Sequence, residues 1–270
     1  MTLPVLTPSL AERLERSEIE YMSSRMAAIR EREGNPEGVE IETFGGAVAY
    51  YANTMPWGSF NTVKGLSSAD ADQVDRILAF YQERERACQF EIIPSKSNAE
   101  LQRLLADRGF YQSGFHTTMY GVPNVSNEEP PPHITIREIE ENEFELYGKL
   151  HCLGSGMNES GAPYVAANNR VLFNRPGWRI FLGFVEGVPA GVAAMHMAEG
   201  IASLTFAATL PQYRRRGLQS AFLRKRMQVA ASHSCQLVVG QCAYASTSQN
   251  NMERAGMRIG YTRATWVEKR

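Results

Sequence analysis

Hydrophobic positions along the chain repeat with two different periods, and glycine, proline and small polar residues separate the runs. Apolar residues three and four apart predict helices near 9–33 and 70–86 and at "NAELQRLLADRG". Runs rich in β-branched and aromatic residues predict strands near 39–52, at "CQFEIIP" and at "YQSGFHTTMY". Beyond residue 133 the pattern predicts a strand at "HITIREI", a helix near 141–154 and a second helical stretch near 163–174. Three strands follow at "WRIFLGFVEG", "VPAGVAAMHMAEG" and "IASLTFAATL", with Gly187 and Gly200 marking hairpin turns. A helix over 217–232, a strand at "CQLVVGQCA", a helix over 247–256 and a strand at "YTRATWVE" close the order. A meander followed by alternating strand and helix is a mixed α/β layout.

One seam interrupts this order. "VPNVSNEEPPPH" (122–133) joins three consecutive prolines to Asn, Ser and Glu and reads as a linker. The chain is therefore expected to divide into a domain over 1–125, a linker over 126–133 and a domain over 134–270. The halves also resemble each other. Cys88-Gln89 and Cys235-Gln236 each open a strand, and Gly109 and Gly256 each end the next helix, at one common offset (235 − 88 = 256 − 109 = 147). Duplication explains that offset.

Composition narrows the function. With 28 basic and 29 acidic residues the net charge is −1, which disfavours wholesale nucleic-acid binding and makes any basic feature a local one. No apolar run reaches the roughly 18 residues that span a bilayer, and "MTLPVLTPSLAERLERSEIE" is too charged for a signal peptide. Cysteines 88, 152, 235 and 242 show no CxxC spacing, so reduced thiols in a cytoplasmic protein are expected. The five histidines show no metal-ligand spacing, and no metal is expected. His151-Cys152 are neighbours on a helix and face different ways, which argues against a nucleophile–base pair; His196 reads as a core or cleft residue.

The local basic feature is "YRRRGLQSAF" (213–222), where a strand closed by Pro211 turns into a helix. A helix start presents unpaired N–H groups and a partial positive charge, so cations there are unfavourable and anions favourable. Arg214, Arg215 and Arg216 against Gly217 thus point to a bound anion, with arginine forks for phosphate oxygens and a glycine for close approach. If Gly217 were ordinary helix, alanine there would raise helix propensity. The segment 147 residues earlier is Ser67-Ser68-Ala69-Asp70-Ala71-Asp72, which would repel the same anion, so one such site is expected.

Arg214-x-x-Gly217-x-Gln219 resembles the R/Q-x-x-G-x-G/A signature of the GNAT superfamily of N-acetyltransferases, with Gln219 departing from a small residue at the last position. The element order over 133–270 and the ending "ERAGMRIGYTR" are similar too, and the first half resembles a degenerate copy. The resemblance implies two acyl-CoA N-acyltransferase domains, each a central mixed, mostly antiparallel sheet flanked by helices. It also implies acetyl-CoA as cosubstrate and transfer of its acetyl group to a primary amine, on a small molecule or a peptide, by direct attack in a ternary complex. Ala207, Ala208 and Thr209 would offer backbone groups to the pantetheine arm; Arg214, Arg215, Arg216, Gly217, Leu218, Gln219 and Ser220 would hold the pyrophosphate. Asn251 reads either as a pantetheine contact or as a plain helix-surface asparagine.

The catalytic acid and base stay unassigned. The tyrosine that family members carry four residues before the closing helix glycine is Met252 here, so Tyr244 is the candidate acid, against packing under a loop. The strand into the signature has no carboxylate, which leaves a water chain, Glu159 or Glu199 as the base. "GSGMNESGAPYVAANN" (154–169) reads as a substrate lid or an ordinary loop. An acyl-CoA sensor without turnover remains the alternative, ahead of an RNA-binding reading.

Overall fold

In the computed structural model, residues 2–55, 57–123 and 130–269 are described, and the linker expected at 126–133 lies partly outside them. The chain forms two compact units. The first comprises Val5–Thr118, Cys242–Tyr244 and Ile259–Arg270; the second comprises Met1–Pro4, Met119–Gln241 and Ala245–Arg258. This differs from a division into 1–125 and 134–270, because the last strand packs in the first unit. Among the described residues no helix is long and apolar enough to cross a membrane.

The first unit begins with α1 (Pro8–Arg30), whose start is fixed by Pro8 and by the Thr7 hydroxyl accepting from the Leu10 N–H. The hairpin β1 (Val39–Phe44) and β2 (Ala47–Ala52) turns at Gly45–Gly46. Then come β3 (Thr62–Lys64), α2 (Val74–Gln82), β4 (Gln89–Ile92), α3 (Ala99–Asp107) and β5 (Phe110–Gly121). β3 has no counterpart among the strands expected from the sequence, because three residues are too few to show a period. Its sheet has the order β1-β2-β3-β4-β11-β5, where β11 (Arg258–Glu268) is the end of the chain. β3 and β4 run parallel, and β11 runs antiparallel to β4, with Trp266 opposite Phe90. Val63, Phe90, Leu101, Leu105 and Phe110 form its core with α2's Val74 and Ile77.

β11 carries a charge into that interior. The Arg263 guanidinium pairs with the buried carboxylate of Glu18 on α1 and lies 3.2 Å from Glu91 on β4. Lys64 on β3 pairs with Glu91 and lies 3.6 Å from Glu18. Glu18 also accepts from the Thr118 hydroxyl at 2.6 Å and the Tyr261 hydroxyl at 3.1 Å. Burial pushes both carboxyls up, yet the two cations outweigh it: Glu18 ends lowered and Glu91 falls to about 2.

The second unit holds β6 (Ile134–Glu138), α4 (Phe144–Gly154), α5 (Ala162–Arg170), β7 (Trp178–Val185), β8 (Val188–Ala198), β9 (Ile201–Thr209), α6 (Leu218–Ser232), β10 (Leu237–Cys242) and α7 (Thr247–Arg254). Its strand order is β10-β9-β8-β7-β6, antiparallel except for the parallel β9–β10 pair. That is the mixed, mostly antiparallel sheet with flanking helices expected from the sequence. The two hairpins turn on Glu186–Gly187 and Glu199–Gly200, all four residues at positive φ as a two-residue type I′ turn demands. Gly183 and Gly191 face each other across β7 and β8; a side chain on Gly183 would strike Phe222 of α6, and one on Gly191 would strike the Ala208 carbonyl and crowd Phe222. The missing side chains let Phe222 press onto the sheet and seat α6.

The duplication offset also holds in the structure. Adding 147 to α3 (99–107) gives 246–254, against 247–254 for α7. Adding it to the start of β5 gives 257, against 258 for β11.

Two tests follow from the buried charges. Arg263→Met should lower stability by about 3–5 kcal/mol, because it leaves two buried carboxylates with Lys64 as their one cation; urea denaturation at neutral pH measures it. An unchanged midpoint would mean that β11 docks through its apolar residues alone. Because the folded-state pKa values of Glu18 and Glu91 are depressed, their contribution is complete above the ordinary carboxylate range, about pH 4.3. It is lost as pH falls from there toward the folded value of about 2 for Glu91. Acid denaturation of wild type should therefore steepen in that window, and the Arg263 variant should unfold at a higher pH.

Candidate active site

β9 is paired along its length on one side only. Its parallel ladder with β10 runs from Ile201↔Leu237 to Leu204↔Gly240 and stops there. On the β8 side the register passes from Ala194↔Thr205 to Val192↔Ala208, with one residue between them on β8 and two on β9, so β9 contains a bulge. Phe206 in the bulge has φ +48° and stacks on Trp178 with ring centroids 5.9 Å apart. From residue 205 onward β9 and β10 form an open fork. Thr205 Oγ1, Thr209 Oγ1 and Gln241 Nε2, all beside it, are buried without a hydrogen-bond partner.

Two neighbours hold the fork. At Gly154, the end of α4, an added side chain would lie 3.0 Å from Ala208 Cβ and from the Thr209 nitrogen, so only glycine lets the helix end approach this closely. From α6, the fully buried Arg226 donates to the carbonyls of Ala194 at 3.2 Å and Thr205 at 3.4 Å, the rung at which the bulge begins. It also donates to Phe222 of its own helix.

β9 leads directly into the arginine turn. A single helical turn at Pro211–Tyr213 is followed by Arg214 in extended conformation and Arg215 at φ +62°. Gly217 is the N-cap of α6 with φ +89°, and no side chain caps the helix. The first helical bond runs from Ala221 N–H to the Gly217 carbonyl, so the N–H groups of Leu218, Gln219 and Ser220 head the helix. Gly217 is exposed, and a side chain there would meet only Ile134 Cδ1, at 3.5 Å. Space and donors thus occur together. Gly217 is a left-handed cap and not ordinary helix, so the propensity gain expected for alanine does not apply.

The three arginines differ. Arg214 donates to the Gly154 carbonyl at 2.9 Å and to Thr209 at 3.3 Å, tying the turn to the end of α4. Arg216 lies 3.4 Å from Glu186 and over the Tyr213 ring. Arg215 is exposed. Asn251 sits on α7, half-buried, its side-chain oxygen accepting from Arg254 at 3.2 Å. Met252 is buried against Gly240 of β10.

The other candidates stand in different settings. Tyr244 is 65% exposed and belongs to the first unit. Glu199 is at the β8–β9 hairpin, about 20 Å along the strand from Phe206. Glu159 pairs with Lys149 at 2.9 Å on the surface. Cys152 is buried and burial pushes its thiol up, which suits packing and not nucleophilic attack. His196 is buried beside Trp178 at 4.9 Å, and burial together with Arg175 lowers its pKa to about 4. The segment over 154–169 is helical for most of its length, through a turn at Glu159–Gly161 and then α5.

Sequence reasoning did not find Arg226, Gln241 or the bulge. Arg226 leaves a trace: it stands four residues after Phe222 and four before Ala230, within the apolar stripe of its helix. Gln241 likewise interrupts the apolar run of β10. A left-handed phenylalanine leaves no such mark.

No protein-family model matches the sequence, and neither does any curated protein. Solved structures do resemble it. A GCN5-related N-acetyltransferase from Kribbella flavida superposes with a TM-score of 0.66 at 16% identity, covering 92% of this chain and 96% of that one. A GCN5-related N-acetyltransferase from Sphaerobacter thermophilus gives 0.62 at 14% identity, over 99% and 95% of the two chains. A tandem GNAT protein from the clavulanic acid biosynthesis pathway gives 0.61 at 12% identity, over 90% and 86%. The fold is that of tandem GNAT proteins.

The left-handed cap makes a prediction independent of any ligand. Gly217→Ala and Gly217→Val should each lower stability by about 1–2 kcal/mol, since a Cβ is strained at this φ. Gly217→Asn should cost less. Thermal unfolding without ligand measures all three; a stabilised alanine variant would contradict the observed cap.

Proposed function

We propose that the chain is an N-acetyltransferase that transfers the acetyl group of acetyl-CoA to a primary amine on a small molecule or peptide, and that its second unit binds the cosubstrate. One observation carries this reading: an uncapped helix start behind an arginine turn, continuous with a strand that forks from its parallel neighbour. The GNAT fold, shared with structures named as N-acetyltransferases, supports it.

The residues present fit acetyl-CoA. An open Gly217 and the leading N–H groups of Leu218, Gln219 and Ser220 suit a diphosphate, with Arg215 and Arg216 adding charge. Arg214 has carbonyl partners already, so its part is to hold the turn, with phosphate contact secondary. Backbone groups of Ala207, Ala208 and Thr209, past the last β9–β10 pair, suit the amide-bearing pantetheine arm, and Thr209 Oγ1 and Gln241 Nε2 have hydrogen bonds to give. Asn251 accepts from Arg254 through its side-chain oxygen, and its amide N–H groups can be offered to the arm at the same time. Acetyl-CoA supplies the activated thioester; the chain's task is to hold it in line with a neutral amine and to exclude water.

A second reading, an acyl-CoA sensor without turnover, is favoured by Met252, which cannot donate a proton. Titration calorimetry with CoA should give about one site per chain. Arg215→Ala with Arg216→Ala should weaken binding by about 1–3 kcal/mol per lost charge-assisted contact. A stoichiometry of two, or unchanged affinity in the double variant, would sink the assignment. Thiol release from acetyl-CoA in the presence of an amine panel then separates enzyme from sensor.

A further inference from the structure

We propose that Arg226 is the fixed positive charge that stabilises the thiolate leaving at the β9–β10 fork, so that transfer proceeds without a side-chain proton donor. This rests on the second unit being an acetyl-CoA site.

The geometry is specific. Arg226 is 1% exposed, and its guanidinium donates to the two carbonyls of the rung where β9 bulges. Among the described residues its hydrogen-bond partners are neutral carbonyls, those of Ala194, Thr205 and Phe222. Burial lowers its pKa to about 10, so it remains a cation at neutral pH.

A buried charge without a counter-ion is costly. A neutral amide could hold the bulge's carbonyls at smaller cost; the guanidinium adds a charge that the carbonyls do not need. Thr205, whose carbonyl it holds, is the first residue of β9 past the last β9–β10 pair, so the charge stands beside the opening of the fork, on the order of one strand spacing (~4.8 Å) from it. Negative charge arising there in a water-poor setting gains from a cation already in place.

The step balances as follows. The lone pair of the neutral amine attacks the acetyl carbonyl carbon and the C–N bond forms. The C–S bond breaks and its electron pair stays on sulfur. The proton shed by the nitrogen passes to water. CoA thus departs as thiolate, which is consistent with Met252 standing where a tyrosine would donate.

The test is a titration of the thiol of CoA bound to the full chain, followed through thiolate absorbance in the ultraviolet. Bound to wild type, the thiol should ionise at least one pKa unit below free CoA, a tenfold change. Arg226→Lys should keep that shift, and Arg226→Gln should abolish it while calorimetry still shows CoA bound. Should the glutamine variant not fold, Arg226→Met serves as the uncharged form. The proposal is overturned if wild-type-bound CoA titrates as free CoA does, or if an uncharged variant keeps the shift. Absence of CoA binding to wild type overturns instead the cosubstrate assignment on which it depends, and calorimetry reveals that before any titration.

Discussion

β9 cannot stay paired on both sides, and the candidate site follows from that constraint. Its ladder with β10 ends at Leu204, its ladder with β8 is interrupted one residue later, and the end of α4 presses on Ala208 and Thr209 through a side-chain-free Gly154. A strand in that position must leave backbone polar groups without sheet partners, which is costly unless something else meets them. On the β8 side Arg226 does so. On the β10 side the fork stays open, and two buried hydroxyls and an amide nitrogen beside it lack partners as well. Unmet polar groups gathered at one place are what a ligand rich in amides can satisfy.

The two halves make the same point by contrast. Gly217 less the offset of 147 is residue 70, an aspartate. Asp70 accepts from the Ser67 hydroxyl at 2.6 Å and from the Gly46 N–H at 2.8 Å, closing a capping box with Ser67. Burial raises its pKa, but these hydrogen bonds outweigh burial and lower it. The first unit therefore supplies its own anion to its own donors. The second unit, with glycine in that place, leaves the donors for an outside anion. A single side chain separates a closed turn from an open one.

How much of this the sequence shows depends on whether a feature repeats. Helices and strands repeat, and their positions emerge to within a few residues, as do the hairpins at Gly187 and Gly200. The arginine turn is legible because glycine and three like charges are unusual at a helix start. By contrast the fork arises from where a ladder stops, which is a relation between two strands 36 residues apart in their register (240 − 204) and has no local signature. The conformation of Gly217 was equally hidden: a glycine before a helix reads as well for ordinary helix as for a left-handed cap, and only φ decides.

The last strand shows why a repeat seen in sequence need not mark a boundary in space. β11 matches β5 by the offset, yet both lie in the sheet of the first unit, in the order β4-β11-β5. What fixes β11 there is charge. Glu18 and Glu91 are too deeply buried to be ionised alone, and of their two cations only Lys64 comes from the same stretch of chain. Arg263 arrives some 170 residues after Glu91 (263 − 91 = 172) and completes the neutral set. Cutting the chain at the proline-rich seam would therefore separate two buried acids from one of their bases. The seam divides the sequence; the fold of the first unit is finished only by the chain's final strand.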